Sequence, residues 1–409
     1  MNKKLIAVAV AGALAAPVVA LAQSSVSISG LVDLGFGSVN GVGNVNGVQT
    51  ADQRRIAQNG SATTAIVITG SEEVSKGFTA IFRYEMNPDF TAGTGLVSTA
   101  GASPGTVGEG GASSGTSTNG ISLGNGANGY NFVGLQSNWG KFLMGRLNSP
   151  TLGAWGVASV FGTALGSGYG TSLIYTRHSG TANYNQSAPT RFNNAMEYTS
   201  PTMSGVTGRV LYVPKVDKAG IGTGGACYQT ACTTEELRAA GSNRAGVTDF
   251  SLAYSAGPAN AIIARQTVDA GSNGMSALVT PTKRTTGKNI LTTLAGNYKF
   301  GDTTANLGWW TEDDKTSAGV QTNQTKGYSI AASHVMGRTT FRASAARNNS
   351  TISTNIDNKI LGFGVDYELS KRTSLYGRFE DRDANTNSSV DDVTNGITRT
   401  WHGGVRHTF

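Results

Sequence analysis

Beyond its first two dozen residues, the 409-residue chain has no apolar run long enough to cross a membrane as a helix. Charge is sparse, at 14% of residues, and its mild basic excess is not gathered on one segment, which excludes a nucleic-acid-binding surface. Histidine is rarer still. The four, at 178, 334, 402 and 407, show no His-x-x-x-His or glutamate-flanked spacing, so no metal motif and no cofactor are implied. Cysteine is limited to Cys227 and Cys232, close together in a polar segment. In an exported chain that pair favours a small disulfide pinning a loop, whereas a metal site would want nearby imidazoles. One absence is local. From Asn148 to Thr190 there is not a single Asp or Glu, while Arg177 and His178 are present.

The start of the chain reads Met1-Asn2-Lys3-Lys4, then an Ala/Val/Leu run broken by Pro17 and ending Ala20-Leu21-Ala22. A positive start, an apolar middle and a small-x-small exit describe a secretory signal peptide over 1–22, with Gln23 opening a single domain over 23–409. Its removal takes two lysines and no acids, lowering the formal charge from +7 to +5.

What remains is abundant alternation, with 56 glycines for tight turns and small strand faces. Val26, Ile28, Gly30, Val32 and Leu34 share one face of the first strand, and Ser27, Ser29 and Asp33 the other. In Phe78–Met86, Phe78, Ala80, Phe82 and Tyr84 face outward and Thr79, Arg83 and Glu85 inward. The last stretch, Ile397–Phe409, alternates Trp401, Gly403, Val405, His407 and Phe409 with Thr400, His402, Gly404 and Arg406. Sixteen such strands are predicted, joined in strict alternation by seven short turns and eight long segments. An open strand edge is intolerable in hydrocarbon, so the last strand must pair with the first. The expectation is all-β: a closed 16-stranded antiparallel transmembrane β-barrel, with short turns on one side and long loops on the other. A soluble β-sandwich would not produce that long/short asymmetry.

A search for catalysis finds little. A barrel hydrolase is the rival from another class, but it would need an outward Ser–His pair, and neither His334 nor His407 has a motif around it. The acidic runs Glu312-Asp313-Asp314, Glu380-Asp381-x-Asp383 and Asp391-Asp392 read as solvated rim near loops.

Several stretches carry a resemblance: Ser24-Ser25-Val26-x-Ile28-x-Gly30, Gly70-Ser71-Glu72-Glu73, Asn131–Arg146, Tyr198-Thr199-Ser200-Pro201, Leu369-Ser370-Lys371-Arg372-Thr373 and the terminal Gly404–Phe409. Together they resemble the general Gram-negative outer-membrane porins, particularly the beta-proteobacterial branch, over the whole mature chain. The resemblance implies a homotrimer of water-filled barrels in the outer membrane, among lipid and lipopolysaccharide, passing small hydrophilic solutes and ions without a cofactor or catalysis. It implies a third extracellular loop, here Asn148–Thr190, folded inward, and Phe409 as the signal read by the barrel assembly machinery. A solute-selective porin for small anions is the alternative within that class. Two departures stand out. An arginine frequent on the second strand of that branch is Ala65 here, and the acids usual on the third loop are missing.

Alternation places Arg83, Arg191, Arg209, Arg342, Arg378, Arg382 and Arg406 inward, with the acids Asp33, Glu85, Glu197, Asp366 and Glu380. The expected constriction is Arg83, Arg146, Arg191 and Arg177 with Glu85. Without loop carboxylates, the arginines there give the pore an anion preference. For Arg146 strict alternation from Phe142 and Met144 points outward, while the resemblance points to the pore wall; a β-bulge reconciles them.

Overall fold

The computed structural model describes residues 25–40, 44–45, 48–49, 53–88, 90–91, 129–162, 164–166, 191–217, 244–269, 288–316, 318–350, 356–385 and 396–409. The expected signal peptide, Arg177, Cys227 and Cys232 lie outside the described residues. Seventeen hydrogen-bonded segments form one closed sheet, and two of them are halves of one stave, so the barrel has sixteen. In chain order these are β1 (Ser25–Asn40), β2 (Gln53–Gln58 and Ala65–Ser75), β3 (Phe78–Met86), β4 (Asn131–Ser137), β5 (Gly140–Asn148), β6 (Arg191–Thr199), β7 (Val206–Asp217) and β8 (Arg244–Ala256). The second half comprises β9 (Ala259–Asp269), β10 (Lys288–Phe300), β11 (Thr303–Lys315), β12 (Gln321–Met336), β13 (Thr339–Ser350), β14 (Ile356–Glu368), β15 (Thr373–Asn385) and β16 (Gly396–Thr408).

Every pairing is antiparallel between neighbours in sequence, and β16 closes on β1 from Leu31↔Thr408 to Asn40↔Arg399. Gly30 and Phe409 complete the seam by exchanging main-chain hydrogen bonds of 3.1 Å each. The Phe409 ring lies against Gly30, where an added Cβ would stand 2.3 Å from it, so the close approach requires glycine. The outward face carries side chains that water would not tolerate in such number: Val26 is 68% exposed, Ile28 67% and Ile330 57%. That face belongs in lipid. No helix among the described residues is long and apolar enough to cross a membrane, so the strands do it.

Several strands run further toward the long-loop side than their alternation reveals, and β2 is the largest surprise. Its first half, Gln53–Gln58, sits in a polar stretch that reads as loop, yet it pairs with β1 from Val39↔Gln53 to Leu34↔Gln58. Between the halves, 59–64 leaves the ladder and turns onto the inner wall. Asp33, fully buried, accepts from the backbone N–H of Ser61 (2.7 Å) and Ala62 (2.6 Å), and Thr64 N–H bonds Asn59 Oδ1 at 2.7 Å.

After β5 comes the one helix among the described residues, α1 (Pro150–Ala158). Ser149 caps it by accepting from Leu152 N–H at 3.0 Å, and Pro150 opens it, where a missing N–H costs nothing. Ala154, Trp155 and Ala158 pack with Ile262, Ala264, Leu291 and Trp310 from the inner face of the barrel. The amides of Asn297 and Asn306 reach Val157 O at 3.2 and 2.7 Å, satisfying a carbonyl the helix end leaves open. Of the loop Asn148–Thr190, residues 148–162 and 164–166 are described, and they lie against this inner wall; 167–190 fall outside the described residues.

Candidate pore-lining site

The inner wall is organised as ion pairs of one pattern. On β3, Arg83 donates to Glu85 Oε2 from Nη2 (2.6 Å) and Nε (3.2 Å), and Arg191 of β6 approaches the other oxygen, Oε1, at 3.8 Å. Glu85 is anchored from behind, its N–H bonding Asn131 Oδ1 at 2.6 Å, and Arg83 lies over the Tyr130 ring at 5.8 Å. One carboxylate thus serves two guanidinium groups. A second such trio joins β13, β14 and β15: Arg342 Nε and Arg378 Nη2 each take one oxygen of Asp366 at 2.7 Å. Arg209 grips Glu197 with two bonds, of 2.7 and 3.2 Å.

Exposure separates the partners. The carboxylates of Glu85, Glu197 and Asp366 are 9, 2 and 5% exposed, while Arg83, Arg209 and Arg342 are 29, 26 and 26% exposed and Arg191 16%. Each pair turns its cation to the lumen and its anion to the wall. Arg378 is the exception at 2%: it is enclosed, bonding Ser61 Oγ at 3.1 Å and lying over the rings of Phe161 and Tyr376 at 5.7 and 5.3 Å.

Wall charges also hold the loop, through its backbone and one hydroxyl. Asp249 on β8 accepts from Thr151 Oγ1 (2.8 Å) and Thr151 N–H (3.3 Å), and Glu380 on β15 accepts from Gly166 N–H (2.8 Å). In the other sense, Arg342 donates to Val160 O and Arg209 to Asn148 O (3.2 Å). One sequence reading is corrected here. The runs that hold Glu312 and Glu380 are not wholly solvated rim: Glu312 is a buried inner-wall group, 2% exposed and accepting from Asn289 at 2.5 Å, because strand parity turns it inward, and Glu380, 1% exposed, stands on the inner face where alternation placed it. Asp381, with opposite parity, does stay at the surface, paired with Arg399 at 3.1 Å.

Of the expected constriction residues, Arg83, Glu85 and Arg191 meet. Arg146 stands on a bulge, where the β5–β6 register breaks between Gly145 and Leu147 and Gly145 adopts φ +146°. Its guanidinium, half-buried, donates to Asn193 Oδ1 at 2.7 Å. Arg406 donates to Ser61 Oγ at 3.4 Å. Missed by sequence reasoning were Ser61, Asp249 and the hump 59–64. Asp249 could have been found as an inward acid of β8; the hump has no local signature.

The sequence profile of the Gram-negative porins matches residues 7–387. The chain belongs to that family. No curated protein matches it in sequence. Among solved structures, the anion-selective porin from Comamonas acidovorans superimposes with a TM-score of 0.65 at 20% identity, covering 95% of this chain and 100% of that one. The trimer form of OmpT, an outer membrane protein of Vibrio cholerae, gives 0.58 at 11% identity, covering 94% and 99%. Identities this low speak for the fold. Family and fold together make this porin an outer-membrane diffusion channel rather than an enzyme.

Proposed function

We propose that this porin is a general diffusion channel with a preference for anions, set by Arg83, Arg191, Arg209 and Arg342 on the wall. The observation that carries the reading is the exposure asymmetry: the cations of the ion pairs reach the water and the carboxylates do not. Arg83, Glu85 and Arg191 together carry one net positive charge, and Arg342, Arg378 and Asp366 another. A low-dielectric wall focuses their field into the lumen, raising the local concentration of anions and lowering that of cations. Arg146 and Arg177 belong to the same wall in this reading, Arg177 on a loop that brings no carboxylate.

The trimeric relative supports a homotrimer of such channels. Export by the 1–22 signal peptide, recognition of the terminal strand with Phe409 by the assembly machinery, and a Cys227–Cys232 disulfide complete the proposal.

The test is the reversal potential of single trimers in a planar bilayer under a potassium chloride gradient. Three equal conductance steps with a sign favouring chloride are expected. A preference for potassium overturns the assignment of selectivity to the arginines.

A further inference from the structure

On the inner wall, one chain of contacts returns on itself. Arg83 grips Glu85 through Nε and Nη2, at 3.2 and 2.6 Å, and Arg191 approaches the other oxygen of that carboxylate at 3.8 Å. Arg191 Nε donates to Asn148 Oδ1 at 2.9 Å, and Arg209 Nη2 donates to the carbonyl of the same asparagine at 3.2 Å. Arg209 in turn holds Glu197. Glu197 and Arg209 both act on the hydroxyl of Tyr130, whose ring lies under Arg83 at 5.8 Å, and there the circuit closes. Its three guanidinium groups and two carboxylates leave one net positive charge.

Charge alone does not account for the aromatic part of this circuit. Tyr130 is tilted at 53° against Phe132, with ring centroids 4.9 Å apart. With Ile81, these half-buried rings form the edge of an apolar cluster whose inner members, Leu143, Leu147, Phe192 and Leu211 among them, are wholly buried. Phe132 stands in register with Arg83 on one side and with Gly145 on the other. Gly145 has φ +146°, and a Cβ there would fall 2.2 Å from Asn131 O, so no side chain covers that flank of Phe132. Chloride gains nothing from an aromatic edge. A solute carrying an apolar face beside its negative charge gains from both, because apolar area leaves water as it binds.

Donors for such a solute are in place. Arg83 spends Nε and Nη2 on Glu85, and Arg209 spends the same two nitrogens on Glu197 and Asn148. Among the described residues nothing bonds Nη1 of either. Glu85 and Glu197 are 9 and 2% exposed, so an incoming anion meets the guanidinium groups first.

We infer that this circuit is a binding site for small aryl carboxylates, a reading that rests on the anion preference proposed above and names the solute class it serves. The carboxylate accepts from Nη1 of Arg83 and of Arg209, and the ring lies on Tyr130 and Phe132. Passage stays passive, but flux of this class saturates.

The experiment uses single trimers of the full protein in a planar bilayer in potassium chloride, with benzoate, acetate or benzamide added and the saturable block of current read as affinity. Benzoate should bind about tenfold tighter than acetate, the worth of roughly 60 Å² of ring removed from water. Benzamide, which keeps the ring and loses the charge, should not block. Tyr130→Leu should bring the benzoate-to-acetate ratio close to one; should that variant give no three-step conductance, Phe132→Leu should lower the ratio severalfold. Equal affinities for benzoate and acetate in a wild-type channel that prefers chloride would overturn this inference alone. So would a ratio that survives both substitutions, or block by benzamide equal to that by benzoate. A preference for potassium over chloride in the same bilayers would overturn the anion reading and the aryl carboxylate site with it.

Discussion

The trio Arg83–Glu85–Arg191 offers three charge states from two conservative substitutions. As it stands the net charge is +1; Arg83→Gln makes it zero and Glu85→Gln makes it +2. Neither change should unseat the backbone, since the N–H of Glu85 is held by Asn131, not by its own side chain. An ion about 8 Å from a unit charge feels roughly 0.5 kcal/mol in bulk water and about 2 kcal/mol at the effective dielectric of a protein surface. With Arg83 29% exposed, the value lies between these, near 1 kcal/mol per charge before screening by salt. That changes anion and cation occupancy by about fivefold each, in opposite directions, as an upper bound. The chloride-to-potassium permeability ratio should therefore fall severalfold in Arg83→Gln and rise severalfold in Glu85→Gln. The assay is the reversal potential of single trimers in a salt gradient, repeated from about 0.1 M to 1 M, over which the Debye length shrinks from about 10 to 3 Å and the differences should narrow. Equal reversal potentials in all three proteins, or the reverse ordering, would refute the reasoning.

Other consequences follow from how the wall and loop are held. Trp155→Ala removes a buried ring that packs α1 to the wall and donates to Gly162 O at 2.8 Å; a loss of about 3–5 kcal/mol locally should appear as larger, noisier conductance and faster flux of bulky sugars. Arg378→Met strips Asp366 of its enclosed partner and leaves Ser61 Oγ with only the longer bond from Arg406, costing about 3 kcal/mol, read as a lower midpoint for thermal unfolding of the barrel with the hump 59–64 becoming protease-sensitive. Gly30→Val drives a side chain into the Phe409 ring at the seam, so the heat-resistant folded band on a denaturing gel should convert at lower temperature, by about 1–3 kcal/mol of overpacking.

Alternation was enough to place all sixteen staves because lipid on one side and water on the other impose a period of two on every strand. It was enough, too, to place Arg83, Glu85, Arg209 and Asp366 on the inner face of the barrel. Where it failed, the ladder itself is interrupted. Arg146 needed a bulge at Gly145, which alternation alone cannot announce. The first half of β2 is short and polar, and the hump after it exists because Asp33 on β1 collects its N–H groups, a contact between positions 28 and 29 residues apart. The runs around Glu312 and Glu380 were misread as rim because a cluster of acids looks solvated, although alternation had already aimed Glu380 inward. In space, parity splits each cluster, sending Glu380 to the loop backbone and Asp381 to the surface.

The missing loop acids then make physical sense. A loop docked through side-chain carboxylates would have to keep them, but here the wall supplies both signs of charge and the loop answers with uncharged groups: N–H of Thr151 and Gly166 and the Thr151 hydroxyl to Asp249 and Glu380, carbonyls of Asn148 and Val160 to Arg209 and Arg342. Docking therefore places little demand on the charges of loop side chains, and selectivity can be altered without loosening the loop. Gly156 tests this directly. It lies exposed on α1, and a Cβ built there meets nothing within 4 Å, so Gly156→Asp adds a carboxylate facing water at no steric cost. The reversal potential should move toward potassium, as in Arg83→Gln, while conductance noise and sugar flux stay as in the wild type. If the loop instead loosens, with noise rising as in Trp155→Ala, then loop charge and docking are coupled and the separation drawn here between them fails.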